Sequence, residues 1–116
     1  MDKKKAIELV LDYEKKQGRN PQTVNKFRNG YDIKSGDRLI EIKINERDSD
    51  LLVSFKGFKK LGKNVVNYYI YVLNGDEEKP KLKILEPEFI LRNFNLLTLV
   101  KIKSDSIKKV GEINLT

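Results

Sequence analysis

A chain of 116 residues with a net charge of +7, 35% charged and 39% hydrophobic, has room for one compact domain with a heavily charged surface. It contains neither histidine nor cysteine, which excludes disulfides, thiolate zinc sites, imidazole bases and every Ser-His-Asp or Cys-His arrangement. Any catalysis falls to carboxylates, lysine, tyrosine, serine or threonine, and carboxylates alone suit hard cations such as Mg²⁺, Mn²⁺ or Ca²⁺.

No apolar run approaches the roughly 20 residues of a membrane span. Met1-Asp2-Lys3-Lys4-Lys5 leads into an amphipathic segment rather than a signal peptide, so an intracellular (cytoplasmic) protein is expected. The lysine excess suits a polyanion partner such as nucleic acid; it equally suits a surface kept soluble by charge.

Lys4 to Gln17 reads as an amphipathic helix, with Ile7, Val10, Leu11 and Glu14 on one face and Gly18 as its stop. Residues 19–30 are polar, and Val24 and Phe27 are expected to anchor this connection to the core. Tyr31-Asp32-Ile33-Lys34 reads as a strand, Ser35-Gly36-Asp37 as a turn, and Leu39 to Ile44 as an alternating, half-buried strand. The apolar run Leu51-Leu52-Val53 follows. Ser54 can cap a helix with Phe55, Phe58 and Leu61 on its apolar side, ending at Gly62. Val65 to Leu73 is the strongest strand pattern, Asn74-Gly75-Asp76 a turn, and Lys81 to Leu85 a further strand. Glu86-Pro87-Glu88 opens a helical turn through Leu91, and Leu97 to Lys103 reads as a last strand.

The order helix, three strands, helix, strand predicts an α/β domain with a mixed sheet flanked by helices. One domain is expected over residues 1–103, with 104–116 a loose tail. Leu96, Leu97, Leu99 and Val100 are expected to close the core, a homodimer contact being the alternative.

Strand alternation puts Ile40, Ile42 and Ile44 on one face and Leu39, Glu41 and Lys43 on the other. The isoleucines mark the core, so Glu41 and Lys43 face a polar surface or a cleft. A two-residue Gly36-Asp37 turn would pair Ser35 with Arg38, and hence Asp32 with Glu41 on the same face. Two carboxylates that close repel unless a cation lies between them, and a hard divalent ion is the fitting one. Lys43, two residues beyond, reaches the same place and can stabilise charge on a reacting phosphate. Glu14 is a candidate third acid. The alternative is a solvent-facing strand of ion pairs, Asp32 and Glu41 with Lys43, Lys34 or Arg38. The residues alone leave both open, because Glu-x-Lys also occurs at Glu14-Lys15-Lys16 and Glu77-Glu78-Lys79.

The pattern Asp32-x8-Glu41-Ile42-Lys43, behind a helix bearing Glu14, resembles the PD-(D/E)xK nuclease superfamily, which includes restriction endonucleases. The likeness is closer to the domain found at the C-terminus of the plant protein NO VEIN, over roughly residues 6–91. It rests on Ala6 to Gly18 with Arg19-Asn20-Pro21, on Gly30-Tyr31-Asp32-Ile33-Lys34-Ser35 and on Leu39 to Lys43. Tyr68 to Val72 and Leu85-Glu86-Pro87 extend it. Tyr31 stands where the superfamily name has proline. The resemblance implies a restriction-endonuclease-like αβββαβ core, with Asp32 and Glu41 as metal ligands, Lys43 as catalytic lysine and Glu14 as the helical acid. It further implies a Mg²⁺- or Mn²⁺-dependent nuclease hydrolysing phosphodiester bonds in DNA. A catalytically inactive module of the same fold, binding nucleic acid or a protein, is the alternative.

Lys34 on the hairpin, with Lys56, Lys59, Lys60 and Lys63 on the second helix, is the expected nucleic-acid contact; a solvated lysine face is the plainer reading. Tyr68, Tyr69 and Tyr71 either stack on bases or pack in the core. Arg19, Lys26 and Arg28 are expected on a loop beside the site, or else on ordinary surface.

Overall fold

The structure, a computed structural model, describes residues 1–54, 59, 61–96 and 99–116, without the side chains of 53–54, 94–96 and 99–100. Lys56 and Lys60 therefore lie outside the described residues, as do Phe55 and Phe58 and the apolar side chains expected at 96–100.

The chain runs α1 (Lys3–Lys16), β1 (Pro21–Thr23), α2 (Lys26–Asn29), β2 (Ile33–Ser35), β3 (Arg38–Ile44) and β4 (Leu51–Ser54). A 3₁₀ helix (Gly62–Asn67) then leads into β5 (Tyr68–Leu73), β6 (Lys81–Leu85), α3 (Pro87–Asn93), β7 (Phe94–Leu96), β8 (Leu99–Ile102), α4 (Ser104–Ile107) and β9 (Ile113–Asn114). Six strands form the main sheet in the order β1-β2-β3-β5-β6-β9, and β4-β8-β7 form a second, three-stranded sheet. β3 and β5 are parallel in the middle of the main sheet, and its other neighbours are antiparallel. The fold is the expected mixed α/β sheet with flanking helices.

Burial on both faces explains why the middle strands are so apolar. On one face α1 packs Ala6 and Val10 against Ile33, Ile40, Ile42, Tyr71, Leu73 and Leu82. On the other, Leu39, Tyr68, Ile70, Val72 and Leu85 meet Leu51, Leu61, Ile90, Ile102 and Ile107. The buried stripe of α1 is Ala6, Val10 and Glu14, with Ile7 and Leu11 at its margins.

α1 stops as its sequence prescribes. Gly18, at φ 82°, donates its N–H to the Lys15 carbonyl (2.9 Å), and the Arg19 N–H reaches the Glu14 carbonyl (3.1 Å). This reversal folds Arg19 back over the last turn of the helix.

Four expectations change. Val65 to Asn67 belong to the 3₁₀ helix, so β5 starts only at Tyr68, and Val66 is exposed. Phe27, on α2, is 84% exposed where a buried core anchor was expected. Leu51 to Val53, the third strand of the expected single sheet, do form a strand, but it pairs with β8 in a second sheet. Residues 104–116, expected as a loose tail, are folded onto the domain. α4 buries Ile107 in the second core, and β9 pairs Ile113 with Leu82 along the edge of β6. An unpaired edge next to two apolar clusters accounts for this docking.

Ile107→Ala should therefore lower the unfolding free energy by about 3 kcal/mol, measured by urea denaturation. A stability equal to wild type would show that this segment does not fold against the sheet.

Candidate active site

The Gly36-Asp37 turn sets the hairpin register as its residues indicate: Ser35 opposes Arg38, Lys34 opposes Leu39 and Ile33 opposes Ile40. Gly36 takes the positive φ, 58°, that such a turn requires. The ladder then ends. The Asp32 N–H bonds the Ile40 carbonyl (2.8 Å), and its side chain takes the next rung, Asp32 Oδ2 accepting from the Ile42 N–H at 2.8 Å. β2 and β3 part at this point, and the backbone of β3 that would be left bare is met by charged groups. Lys3 Nζ, from the first turn of α1, donates to the Ile42 carbonyl at 2.6 Å and lies 3.1 Å from Asp32 Oδ2.

One residue back along β3, Glu41 is 2% exposed and Asp32 is 6% exposed. Lys26, from α2, donates to Glu41 Oε1 at 2.6 Å, and Lys43 Nζ lies 3.7 Å from the same oxygen. Three groups feel both carboxylates at once. Burial works against the Lys26 ammonium, but the Glu41 hydrogen bond and charge, with Asp32 behind, hold its pKa above the lysine norm. Burial pushes the Tyr68 hydroxyl well up, and Glu41 and Asp32 push it further. For Lys43, burial together with the charges of Lys26 and Lys3 outweighs Glu41 and Asp32, and its pKa falls below the lysine norm. Asp32, Glu41 and Lys43 thus share one neighbourhood with Lys3, Lys26 and Tyr68.

Glu14 lies elsewhere. It is fully buried on the α1 face of the sheet, against Tyr71, whereas Glu41 emerges from the opposite face. Arg19 grips it through two bonds, Nε to Oε1 at 2.6 Å and Nη2 to Oε2 at 2.7 Å, and the Tyr71 hydroxyl donates to Oε2 at 3.0 Å. Arg38 Nη1 in turn donates to the Tyr71 hydroxyl (2.7 Å) and its guanidinium covers the Tyr69 ring at 4.4 Å. The buried Ser35 hydroxyl is near enough to help stabilise the Glu14 charge but makes no hydrogen bond of ordinary geometry. Burial pushes the Glu14 carboxyl up, yet Arg19 and Tyr71 together hold it below the usual range. Among the described residues, no three acidic side chains lie close enough to hold a metal ion by themselves.

Of the expected nucleic-acid contacts, Lys34 is exposed and, opposite Leu39, shares the face of Glu41; Lys59 is also exposed. Tyr68 and Tyr71 are buried in the two cores and cannot stack on bases. Lys3 is the group that sequence reasoning missed outright: nothing in a helix-opening lysine run marks which lysine reaches a carbonyl 39 residues away.

This architecture, a mixed sheet flanked by helices whose hairpin opens beside two carboxylates and a lysine, has a restriction-endonuclease-like fold. The solved structure of Hjc, a Holliday junction resolvase from the archaeal hyperthermophile Archaeoglobus fulgidus, matches with a TM-score of 0.67. The match covers 88% of this chain and 91% of that one at 15% identity, a likeness of fold. No functionally curated protein matches in sequence. The family described as Protein NO VEIN, C-terminal, matches residues 3–85, and the chain belongs to that family.

The Glu14-Arg19 pair yields a signed prediction. Its folded pKa is lowered, so its stabilisation is present above the unfolded value near 4.5 and is lost as pH falls through the folded one. Glu14→Gln should cost about 2 kcal/mol at pH 7, since Arg19 is only partly buried, and the gap should narrow steadily toward about pH 3. Urea denaturation of both proteins at the two pH values checks this; a gap that is absent at pH 7, or constant with pH, contradicts it.

Proposed function

We propose that this chain is a Mg²⁺- or Mn²⁺-dependent nuclease hydrolysing phosphodiester bonds in DNA, with Asp32 and Glu41 as the metal ligands and Lys43 as the catalytic lysine. One observation carries the reading. Where β2 and β3 part, two buried carboxylates and the Ile42 carbonyl already gather ammonium groups, so an all-oxygen donor set suited to a hard divalent ion lies at the opening. A divalent ion held there supplies an acidified water and charge neutralisation at the phosphoryl group.

The chain's own residues do the rest. Lys3 and Lys26 have half-exposed side chains on flexible stems, so both ammonium heads can leave the carboxylates for solvent or for substrate phosphates. Lys43 is more deeply set and stays, directing its cation at charge that develops on the phosphoryl oxygens. The Ile42 N–H fixes the orientation of Asp32. Glu14 is assigned a positioning role, since both its oxygens are engaged by Arg19 and Tyr71 on the far face; through Tyr71 it ties α1 to β5. Lys34 and Lys59 are assigned to phosphate contacts, consistent with the net charge of +7.

A second reading has one specific observation in its favour. Two carboxylates face three ammonium groups, so the cluster is neutralised without a metal, as a catalytically silent nucleic-acid-binding module would need.

Incubation of plasmid and branched DNA with Mg²⁺ or Mn²⁺ separates the two. Metal-dependent cleavage should fall by about 100-fold or more in Asp32→Ala and in Lys43→Ala. DNA binding with no metal-dependent cleavage by the wild type would establish the silent module instead.

A further inference from the structure

The three lysines at the candidate site do not sit alike. Lys26 donates to a single oxygen of Glu41, and Lys43 stands 3.7 Å from that same oxygen. Lys3 bridges two residues: its Nζ is 2.6 Å from the Ile42 carbonyl and 3.1 Å from Asp32 Oδ2. These are two of the three groups assigned above to the divalent ion, so the ammonium stands where a cation would be held. An ion and the ammonium exclude one another there, because both need the same oxygens and like charges so close repel.

The helix behind Lys3 need not move for one to replace the other. α1 is capped by Asp2, whose side chain accepts from the Lys5 N–H at 2.8 Å, and Ala6 and Val10 dock it on the sheet. Only the four-carbon stem of Lys3 has to turn, and its side chain is already 42% exposed. An ammonium turned off the oxygens stays tethered at the lip of the site, where a DNA phosphate must approach to reach them. Its charge is available to a phosphate only while it is off Asp32.

We propose that Lys3 couples the two ligands of this site: a divalent ion and a phosphate backbone load together, each favouring the state in which Lys3 has left Asp32 and Ile42. The inference rests on the reading of Asp32 and Glu41 as metal ligands. By linkage the effect is reciprocal, the ion strengthening DNA binding by the factor by which DNA strengthens ion binding. A lysine acting through its charge alone would weaken ion binding and leave that factor unchanged.

The test uses Ca²⁺, a hard ion with the same preference for oxygen, as the probe for the ion, and a labelled branched duplex as the probe for the backbone. Calorimetry without DNA gives the Ca²⁺ affinity. Anisotropy in EDTA and in saturating Ca²⁺, at one ionic strength, gives the gain in DNA affinity. Lys3→Met should bind Ca²⁺ about tenfold more tightly than wild type, while its gain in DNA affinity on adding Ca²⁺ is about fivefold smaller. Lys3→Gln, which keeps a donor for the Ile42 carbonyl without the charge, should do the same. Lys4→Met removes a charge from the same helical turn at an exposed position and should match wild type within about twofold in both measurements. An unchanged Ca²⁺ affinity in both Lys3 variants, an equal gain in DNA affinity with and without Lys3, or no DNA binding by wild type overturns the proposal and leaves the metal site standing. No Ca²⁺ binding by wild type or by either Lys3 variant overturns the metal-ligand reading itself, and the coupling with it.

Discussion

Two carboxylates set side by side in the interior of a sheet must be met by positive charge, and this requirement organises the domain. Asp32 and Glu41 are both buried, and an uncompensated charge there would cost several kcal/mol. The compensation comes from three separate elements: Lys3 at the start of α1, Lys26 on α2 and Lys43 on β3 itself. The approach of α1 to the hairpin, the fold of the 24–32 loop and the parting of β2 from β3 all serve that convergence. Tyr68, at the first residue of β5, feels the same two charges, and burial together with them holds its hydroxyl in the neutral form.

The sheet separates this cluster from a second polar network. On the α1 face Glu14, Arg19, Tyr71 and Arg38 form a chain of hydrogen bonds with Tyr69 stacked under the guanidinium. That chain links the end of α1 to β3 and β5, the strands that carry or flank the candidate site. This second network lies under α1, while Glu41 and its partner Lys26 lie on the other face of the sheet. Lys3 and Lys26 are half-exposed, whereas the carboxylate of the bidentate Arg19-Glu14 pair is fully buried.

Local rules carried the sequence reading a long way. Strand parity and a glycine-led two-residue turn were enough to set the register from Ile33 to Arg38, but the ladder ends before the expected Asp32-Glu41 pair, and the Asp32 side chain bonds the Ile42 N–H instead. The α1 periodicity and Gly18 stop also hold. Long-range choices were not legible. Leu51 to Val53 look like any edge strand, and only the later β8 decides which sheet they join. Val65 and Val66 continue the alternation of β5, yet the chain enters that strand through a 3₁₀ turn. Glu14 has the helical spacing of a residue facing the sheet, and it does face it, but helical spacing says nothing about which face of the sheet the helix covers. Arg19, which follows the stop, was the available sign that Glu14 has a partner of its own.

The central claim is that the lysine-capped oxygens at the parting of β2 and β3 receive a divalent ion. A crystal structure of the protein soaked in Mn²⁺, with anomalous diffraction data, tests it most directly. The account predicts one Mn²⁺ peak bounded by Asp32, Glu41 and the Ile42 carbonyl, with the Lys3 and Lys26 ammonium groups displaced from the carboxylates. Both lysines in their present ion pairs and no anomalous peak between the carboxylates would contradict it.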